Sequence, residues 1–207
     1  MMRFDVFIMR HFLPLGLVLW GSLLVGCGQS QKKHLEPLMT TRQQVQDGMD
    51  ELAKFSVDTV KAARARIADR LDDIDWLLAE NAVTKTAQDG EIIGDWSRAK
   101  RFLKDGPDRL VGLKKEGQLC MDQLDHLMAD IRSNVQKDVE GTIIDDAYLE
   151  QASAAEILAA NQFELAVNET SRLVRLGLEL EREARPSVDS LILAKRAEWV
   201  HQFAQDP

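Results

Sequence analysis

Leu110-Val-Gly-Leu-Lys-Lys-Glu-Gly-Gln-Leu-Cys-Met-Asp-Gln-Leu-Asp-His-Leu-Met-Ala-Asp-Ile131 is the stretch of sequence that decides the fold. Its apolar positions alternate by three and four residues, which is the heptad spacing of helices that pack side by side. These positions are Leu110, Leu113, Gly117, Cys120, Leu124, Leu127 and Ile131. Because such a seam must be covered by partner helices, the segment predicts an all-α bundle.

The same apolar face extends upstream through Trp96, Ala99 and Leu103. Asp105-Gly106-Pro107-Asp108 interrupts it, and because proline lacks a backbone N–H we expect a kink or a short break there. Leu103 and Leu110 are seven residues apart, so the face stays in phase across the interruption. We therefore predict two pieces that share one face rather than a reversal of direction.

A first long helix is predicted to run from Pro37, which suits a first helical position, to about Thr86. The turn signal Asp89-Gly90 follows it. At ~50 residues this helix would be roughly 75 Å long, so it too needs a partner. Its apolar residues are Leu38, Val45, Met49, Leu52, Val60, Ala63, Ile67, Leu71, Ile74 and Leu78.

A third helix is predicted after the turn Glu140-Gly141-Thr142, and Pro186 should kink or break it. No sustained alternation of the kind that marks a strand occurs in the sequence. We therefore predict an elongated up-down-up antiparallel bundle or coiled coil of three long helices, the third kinked near Pro186, with a compact four-helix bundle as the alternative. The apolar residues of this segment are Ala152, Ala155, Ala159, Phe163, Ala166, Leu173, Leu176, Leu180, Leu191, Ile192, Trp199 and Phe203.

Charges on the first two segments predict a register. If the chain folds back at Asp89, a basic cluster on the second segment lies level with an acidic cluster on the first, as charges flank the seam of a coiled coil. The basic cluster is Arg98, Lys100, Arg101 and Lys104, and the acidic cluster is Asp72, Asp73, Asp75 and Glu80.

The amino-terminal segment has the pattern of a secretory leader. Arg3 and Arg10 provide its positive charge, and residues 12–25 form an apolar run that is too short for a stable membrane span. The run ends in Leu24-Val25-Gly26-Cys27. This stretch resembles the lipobox of bacterial lipoproteins, which consists of leucine, a small or branched residue, glycine or alanine, and cysteine.

The resemblance implies cleavage between Gly26 and Cys27, a diacylglyceryl thioether on Cys27 and acylation of the freed amine, for example with palmitate. It thus divides the chain into a signal peptide (1–26), a lipidated cysteine with a polar tether (27–36) and a single helical bundle domain (37–207). Because inner-membrane lipoproteins usually carry aspartate after the cysteine, Gly28 favours the periplasmic face of the outer membrane. In an organism with one membrane, the expected place is the external face of the plasma membrane.

The charge of the chain argues against nucleic acid as a partner. The net charge is −8 over 207 residues, and because the leader carries +1 the mature chain carries −9. A protein that tracks phosphates needs a basic stripe. Once Cys27 is lipidated, Cys120 is the remaining cysteine, so no internal disulfide is expected, and its position on the apolar face predicts a buried structural thiol.

The sequence gives weak signals for catalysis or metal binding. Asp122, His126 and Asp130 share a helical face, but this spacing fits a solvated charged pair better than a zinc site. The sequence has no His-Glu-x-x-His, no Gly-x-Ser-x-Gly and no phosphate-binding glycine loop. We therefore expect a protein that is not an enzyme and holds no metal or cofactor besides the lipid on Cys27.

Three tryptophans nominate a functional surface. Trp76, Trp96 and Trp199 are predicted in the third of the bundle farthest from the membrane, either as an exposed partner-binding tip or as a plug of the bundle's end. The expected function is a lipid-anchored, non-enzymatic scaffold or protein-binding module of the cell envelope with a protein partner. The alternative is a carrier or sensor that binds a small apolar ligand in its core, lined by Phe102, Met121, Met128 and Phe163.

Overall fold

The computed structural model describes residues 33–79, 84–137 and 141–204 of the chain. These residues form an all-α bundle, as predicted. Within the described ranges, the β structure amounts to one isolated antiparallel bridge between Lys137 and Ile143. The helices are α1 (Leu35–Ala53), α2 (Val57–Ala79), α3 (Ala87–Leu103), α4 (Gly106–Arg132) and α5 (Asp146–Phe203).

The helices form three antiparallel columns. α1 and α2 make the first column, α3 and α4 return as the second, and α5 alone makes the third. α1 packs against α4, α2 packs against α3 and α4, and α5 contacts all four other helices. With 58 residues, α5 spans roughly 87 Å, so the bundle is elongated.

The prediction of one unbroken first helix is wrong, because the chain leaves the helix between Ala53 and Val57. The backbone N–H groups of Lys54 and Phe55 donate to carbonyls of the last turn of α1. The physical reason is the eight-residue step from Leu52 to Val60, both fully buried. In a continuous helix that step would rotate the apolar face by about 80°, and the break restores it.

The turn predicted at Asp89-Gly90 is also wrong, because both residues lie in the first turn of α3. Thr86 caps this helix: its hydroxyl accepts from the backbone N–H of Asp89 at 3.1 Å, and the Asp89 carboxylate accepts from the Thr86 N–H at 2.9 Å. This capping box begins a helix at the place where the sequence pattern predicted a turn. The break predicted at Pro107 is confirmed, since Pro107 lies in the first turn of α4.

α5 is bent and runs through Pro186 without ending. Its predicted apolar face is rotated by about one residue over most of its length. Ala160 and Val167 are buried, whereas the predicted Ala159 and Ala166 are only partly buried. Several positions of the true face are polar, so the hydrophobic pattern did not reveal it. The buried positions are Leu149, Ser153, Ala160, Phe163, Val167, Thr170, Ser171, Val174, Gly177, Glu181, Val188, Leu191 and Ile192.

The predicted charge register is wrong as well. The indole N–H of Trp96 donates to the carbonyl of Ile67 at 3.1 Å, which places these two residues at one level. Folding back at Asp89 would have put Trp96 about 15 residues farther along the first column. Lys100 to Lys104 therefore face the start of α2 rather than its acidic end.

The part of the bundle formed by α1, α4 and the first half of α5 is packed closely around Phe163. A Cβ atom added to Gly48 of α1 would lie 2.9 Å from the Phe163 ring, and one added to Gly117 of α4 would lie 2.8 Å from it. The two glycines therefore let α1 and α4 approach α5 with the ring between them. Phe163 is fully buried as a result.

Of the polar tether predicted at 27–36, the structure describes residues 33–36, and the last two of these are helical. Leu35 and Glu36 already belong to α1. Lys33 donates to the Asp146 carboxylate at 2.8 Å, and His34 lies 3.2 Å from the other oxygen. Residues 33 and 34 are therefore fastened to the start of α5, while Gly26, Cys27 and the rest of the predicted tether up to residue 32 lie outside the described residues.

Candidate functional site at the tryptophan end

We call the end of the bundle formed by the last turn of α2, the start of α3 and the last turns of α5 the tryptophan end. Here the rings of Trp76 and Trp199 meet with centroids 5.3 Å apart and planes tilted by 58°. This is the tilted geometry that aromatic pairs prefer. Trp76 is 50% exposed, and Trp199 is half-buried.

Trp96 does not join this pair. It has no exposed surface, and its hydrogen bond to the Ile67 carbonyl lies inside the core between α2 and α3. Of the three candidate tip residues, the structure brings Trp76 and Trp199 together and places Trp96 deeper in the bundle. The exposed aromatic surface is therefore smaller than the sequence suggested.

A buried ion pair joins α5 to α3 next to the tryptophan end. Lys195 of α5 lies 3.1 Å from the Asp89 carboxylate, and both side chains are largely shielded from solvent. Burial alone would raise the pKa of Asp89, but hydrogen bonds from Thr86 and Lys195 outweigh it and lower the pKa. Burial alone would lower the pKa of Lys195, but hydrogen bonds to Asp89 and Glu198 raise it. Both groups are therefore charged near neutral pH.

α5 also holds the connection that leads into α3. Lys195 donates to the Thr84 carbonyl at 2.6 Å, and the Glu198 carboxylate accepts from the Thr84 N–H at 3.3 Å. On the other side, Arg196 lies 3.0 Å from Asp73, one turn before Trp76 on α2. Polar contacts thus join the last turns of α5 to both neighbouring elements, which orients the Trp76–Trp199 pair.

The interior below this end is nearly filled. The cavity there has a volume of about 10 Å³, which is about the size of one water probe. It is lined by Ile74, Leu77, Leu78, Asp89, Ile93, Leu191, Ile192 and Lys195. The accessible part of the tryptophan end is therefore its outer surface.

The residues considered for an apolar ligand site lie in different places. Phe163, Met121 and Met128 are buried in the core. Phe102 instead lines a surface depression of about 120 Å³ between α3, α4 and α5. They therefore do not line one common cavity that the structure describes.

The structure also locates the residues considered for a metal site and the cysteine predicted to be buried. Among the described residues, no cluster of three or more histidine, cysteine, aspartate or glutamate side chains could hold a metal ion. Asp122 instead accepts a hydrogen bond from Gln118 at 2.8 Å. Cys120 is buried, and burial raises the pKa of its thiol.

The residues that organise the tryptophan end were not predicted from the sequence. Lys195 and Glu198 are separated from Thr84 and Asp89 by more than a hundred residues, so no local pattern links them. Thr86 and Asp89 did carry a signal, because a threonine followed three residues later by an acid marks a helix start.

None of the helices in the described ranges combines the length and the hydropathy needed to cross a membrane. Comparison with known proteins gives no match: no protein-family model, no curated protein and no solved structure matches this chain.

Proposed function

We propose that this protein is a lipid-anchored, non-enzymatic scaffold of the cell envelope and that its tryptophan end binds a partner protein. The observation that carries the proposal is the half-exposed Trp76 ring, which packs on Trp199 at the end of the bundle opposite the start of α1. Exposed aromatic side chains on a rigid support are the residues that most often dominate protein interfaces.

The shape of the bundle supports the proposal. α1 and α2 together extend over 45 residues, or roughly 65 Å, from Leu35 to Ala79. An acyl anchor on Cys27 would lie at the opposite end of this rod from Trp76. The protein would then present its aromatic pair well away from the membrane surface, on the periplasmic side of an outer membrane or outside the plasma membrane of a single-membrane cell.

The filled core favours a scaffold over a carrier of an apolar ligand. Carrier sites usually enclose about 300–1,000 Å³. The cavity beneath the tryptophan end is far smaller, and Phe163 occupies the space between Gly48 and Gly117.

The anchor is tested with Cys27→Ala. We expect this variant to remain unprocessed and to lack acyl chains by mass spectrometry. The wild-type protein in cells treated with globomycin, which blocks cleavage but not transfer of the diacylglyceryl group, should keep its signal peptide and carry the thioether lipid. Serine at the same position, Cys27→Ser, is the conservative control and should behave like alanine because lipidation requires the thiol. Normal processing and acylation of Cys27→Ala would contradict the lipoprotein assignment.

The partner surface is tested by placing a photoreactive benzoylphenylalanine at position 76 and, as a matched control, at Leu165, which is 70% exposed on the middle of α5. Irradiation of intact cells should give a discrete crosslinked protein from position 76 only. The same crosslinks from both positions, or none from position 76, would count against a partner site at the tryptophan end.

A further inference from the structure

The groove between α2 and α3 collects five basic side chains that the sequence separates. Lys61 and Arg64 come from α2, and Lys100, Arg101 and Lys104 come from α3. All five are exposed, and no carboxylate lines the groove. The register fixed by Trp96 and Ile67 is what brings the two groups together.

These five residues differ from most arginines of the bundle. Most described arginines outside the groove are paired with carboxylates: Arg42, for example, lies 2.6 Å from Asp125, and Arg70 lies 2.7 Å from Asp189. Within the part of the chain that the structure describes, none of the five groove residues makes an ion pair or a side-chain hydrogen bond. In a chain with 34 acidic and 26 basic residues, this is a local excess of positive charge against the overall balance.

The shape of the groove suits a compact ligand. Its volume is about 620 Å³, within the range of small-molecule sites, and Ala65 and Ala68 line it between the basic walls. Because alanine side chains are short, a ligand can descend between cations that stand on both sides. A planar membrane surface would reach the rims of such a groove rather than its floor.

The charge indicates the chemistry of the ligand. Five like charges in one concave surface repel each other and together attract an anion of high charge. Arginine pairs with phosphate through two parallel hydrogen bonds, and lysine adds point charges. The groove lining on α2, from Lys61 to Ala68, covers about two helical turns, or roughly 10 Å, which is too short to track the backbone of a nucleic acid duplex.

We propose that this groove binds a compact ligand that carries at least two phosphate groups. Arg64 and Arg101, one from each helix, hold the phosphates, and Lys61, Lys100 and Lys104 neutralise the remaining charge. The site is separate from the tryptophan end and does not depend on what binds there.

The test is a calorimetric titration of the full chain, purified in a nonionic detergent, with inorganic tripolyphosphate. We expect saturable binding that weakens with added salt, since exposed charges are screened. The variant R64Q/R101Q should bind at least about tenfold more weakly, because two bidentate phosphate contacts are lost. The control K114Q/K115Q removes the same charge on α4, outside the groove, and should bind like the wild type.

A second readout is thermal unfolding, measured without and with the ligand. Removal of two repelling charges should leave the circular dichroism spectrum of R64Q/R101Q unchanged and should not lower its unfolding temperature. Tripolyphosphate should raise the unfolding temperature of the wild type and of K114Q/K115Q, but not that of R64Q/R101Q.

Three results would overturn the proposal. The first is absence of tripolyphosphate binding to the wild type, and the second is equal binding by both variants. The third is binding to phosphatidylglycerol vesicles, relative to phosphatidylcholine vesicles, without binding of tripolyphosphate, because that result would assign the cations to a membrane surface.

Discussion

Two halves of the bundle share α5 but differ in what lies between their helices. The glycine half consists of α1, α4 and residues 146–172, and its centre is the Phe163 ring between Gly48 and Gly117. The charged half consists of α2, α3 and residues 173–203. At its centre the buried Glu181 carboxylate accepts from Arg66 at 3.0 Å and from Arg185 at 2.7–3.0 Å.

The difference teaches how a bundle with a repetitive seam fixes its alignment. Apolar packing is strong but non-directional, so helices with heptad seams can slide by a repeat at modest cost. A glycine that faces a ring of another helix and a buried carboxylate that faces an arginine of another helix, as Glu181 faces Arg66, each fit in one position only. We infer that steric fit sets the register in the glycine half and charge sets it in the charged half.

The largest expected effect is in the glycine half. Phe163→Ala removes a fully buried ring from between two helices and should lower the free energy of unfolding by about 3–5 kcal/mol in urea denaturation. Leu165→Ala, two residues away and largely exposed, is the control and should change it by less than about 0.5 kcal/mol. A loss below about 1 kcal/mol for Phe163→Ala would mean that the ring does not hold this half together.

A smaller effect is expected from Glu181→Gln in the charged half. Burial alone would raise the pKa of Glu181, but hydrogen bonds from Arg185 and Arg66 lower it. The neutral amide should cost about 2 kcal/mol at pH 7, because Arg66 and Arg185 remain partly exposed and can be hydrated.

The pH dependence of the unfolding free energy of Glu181→Gln tests whether charge stabilises the charged half. A carboxyl group with a lowered pKa in the folded state stabilises the protein above its ordinary pKa, and the contribution is lost as the pH falls through the lowered value. The difference in unfolding free energy between wild type and Glu181→Gln, measured from pH 7 to pH 3, should therefore narrow as the pH falls below the ordinary pKa of a carboxyl group. Glu183→Gln, on the exposed side of α5, should follow the wild type throughout, and a constant gap for Glu181→Gln would contradict the assignment.

Two glycines of α4 give a matched comparison of opposite sign. A Cβ atom at Gly117 would collide with the Phe163 ring and the Met49 thioether, whereas one at Gly112 meets nothing within 4 Å. Gly117→Ala should lower the unfolding free energy by about 1–2 kcal/mol, because overpacking exceeds the gain in helix propensity. Gly112→Ala should raise it by about 0.5–1 kcal/mol, and equal shifts in thermal unfolding would show that the glycine half tolerates wider spacing.

The smallest effect on stability is expected at the tryptophan end. Trp76→Phe should change the unfolding free energy by less than about 0.5 kcal/mol but should markedly reduce quenching of tryptophan fluorescence by acrylamide, because Trp76 is half-exposed. Trp96→Phe should do the reverse, with little change in quenching and a loss of about 1–2 kcal/mol through its hydrogen bond and cavity. If acrylamide quenches the fluorescence of both variants to the same extent, Trp96 is not buried as described.

Part of this structure could be predicted because the information was local. The seam from Leu110 to Ile131, the break at Pro107 and the all-helical class follow from spacing and from the chemistry of proline. The break after Ala53 was not predicted, although the eight-residue step from Leu52 to Val60 indicates it. The start of α3 was not predicted, although Thr86 and Asp89 form a capping box. The buried face of α5 was misplaced because Glu181 and Thr170 lie on it, and a hydrophobic pattern cannot recognise a polar residue that is buried by a partner.

The sequence by itself determined that this protein is a bundle of long amphipathic helices, because a period of 3.6 residues marks one face of each helix for burial whatever lies opposite. Only the tertiary structure decided which residues meet across the columns, since a face can be read from one helix but a register depends on two. The contacts of Trp96 with Ile67, of Lys195 with Asp89 and of Phe163 with its glycines set that register. They also place Trp76 against Trp199 and turn two separate basic stretches into one groove.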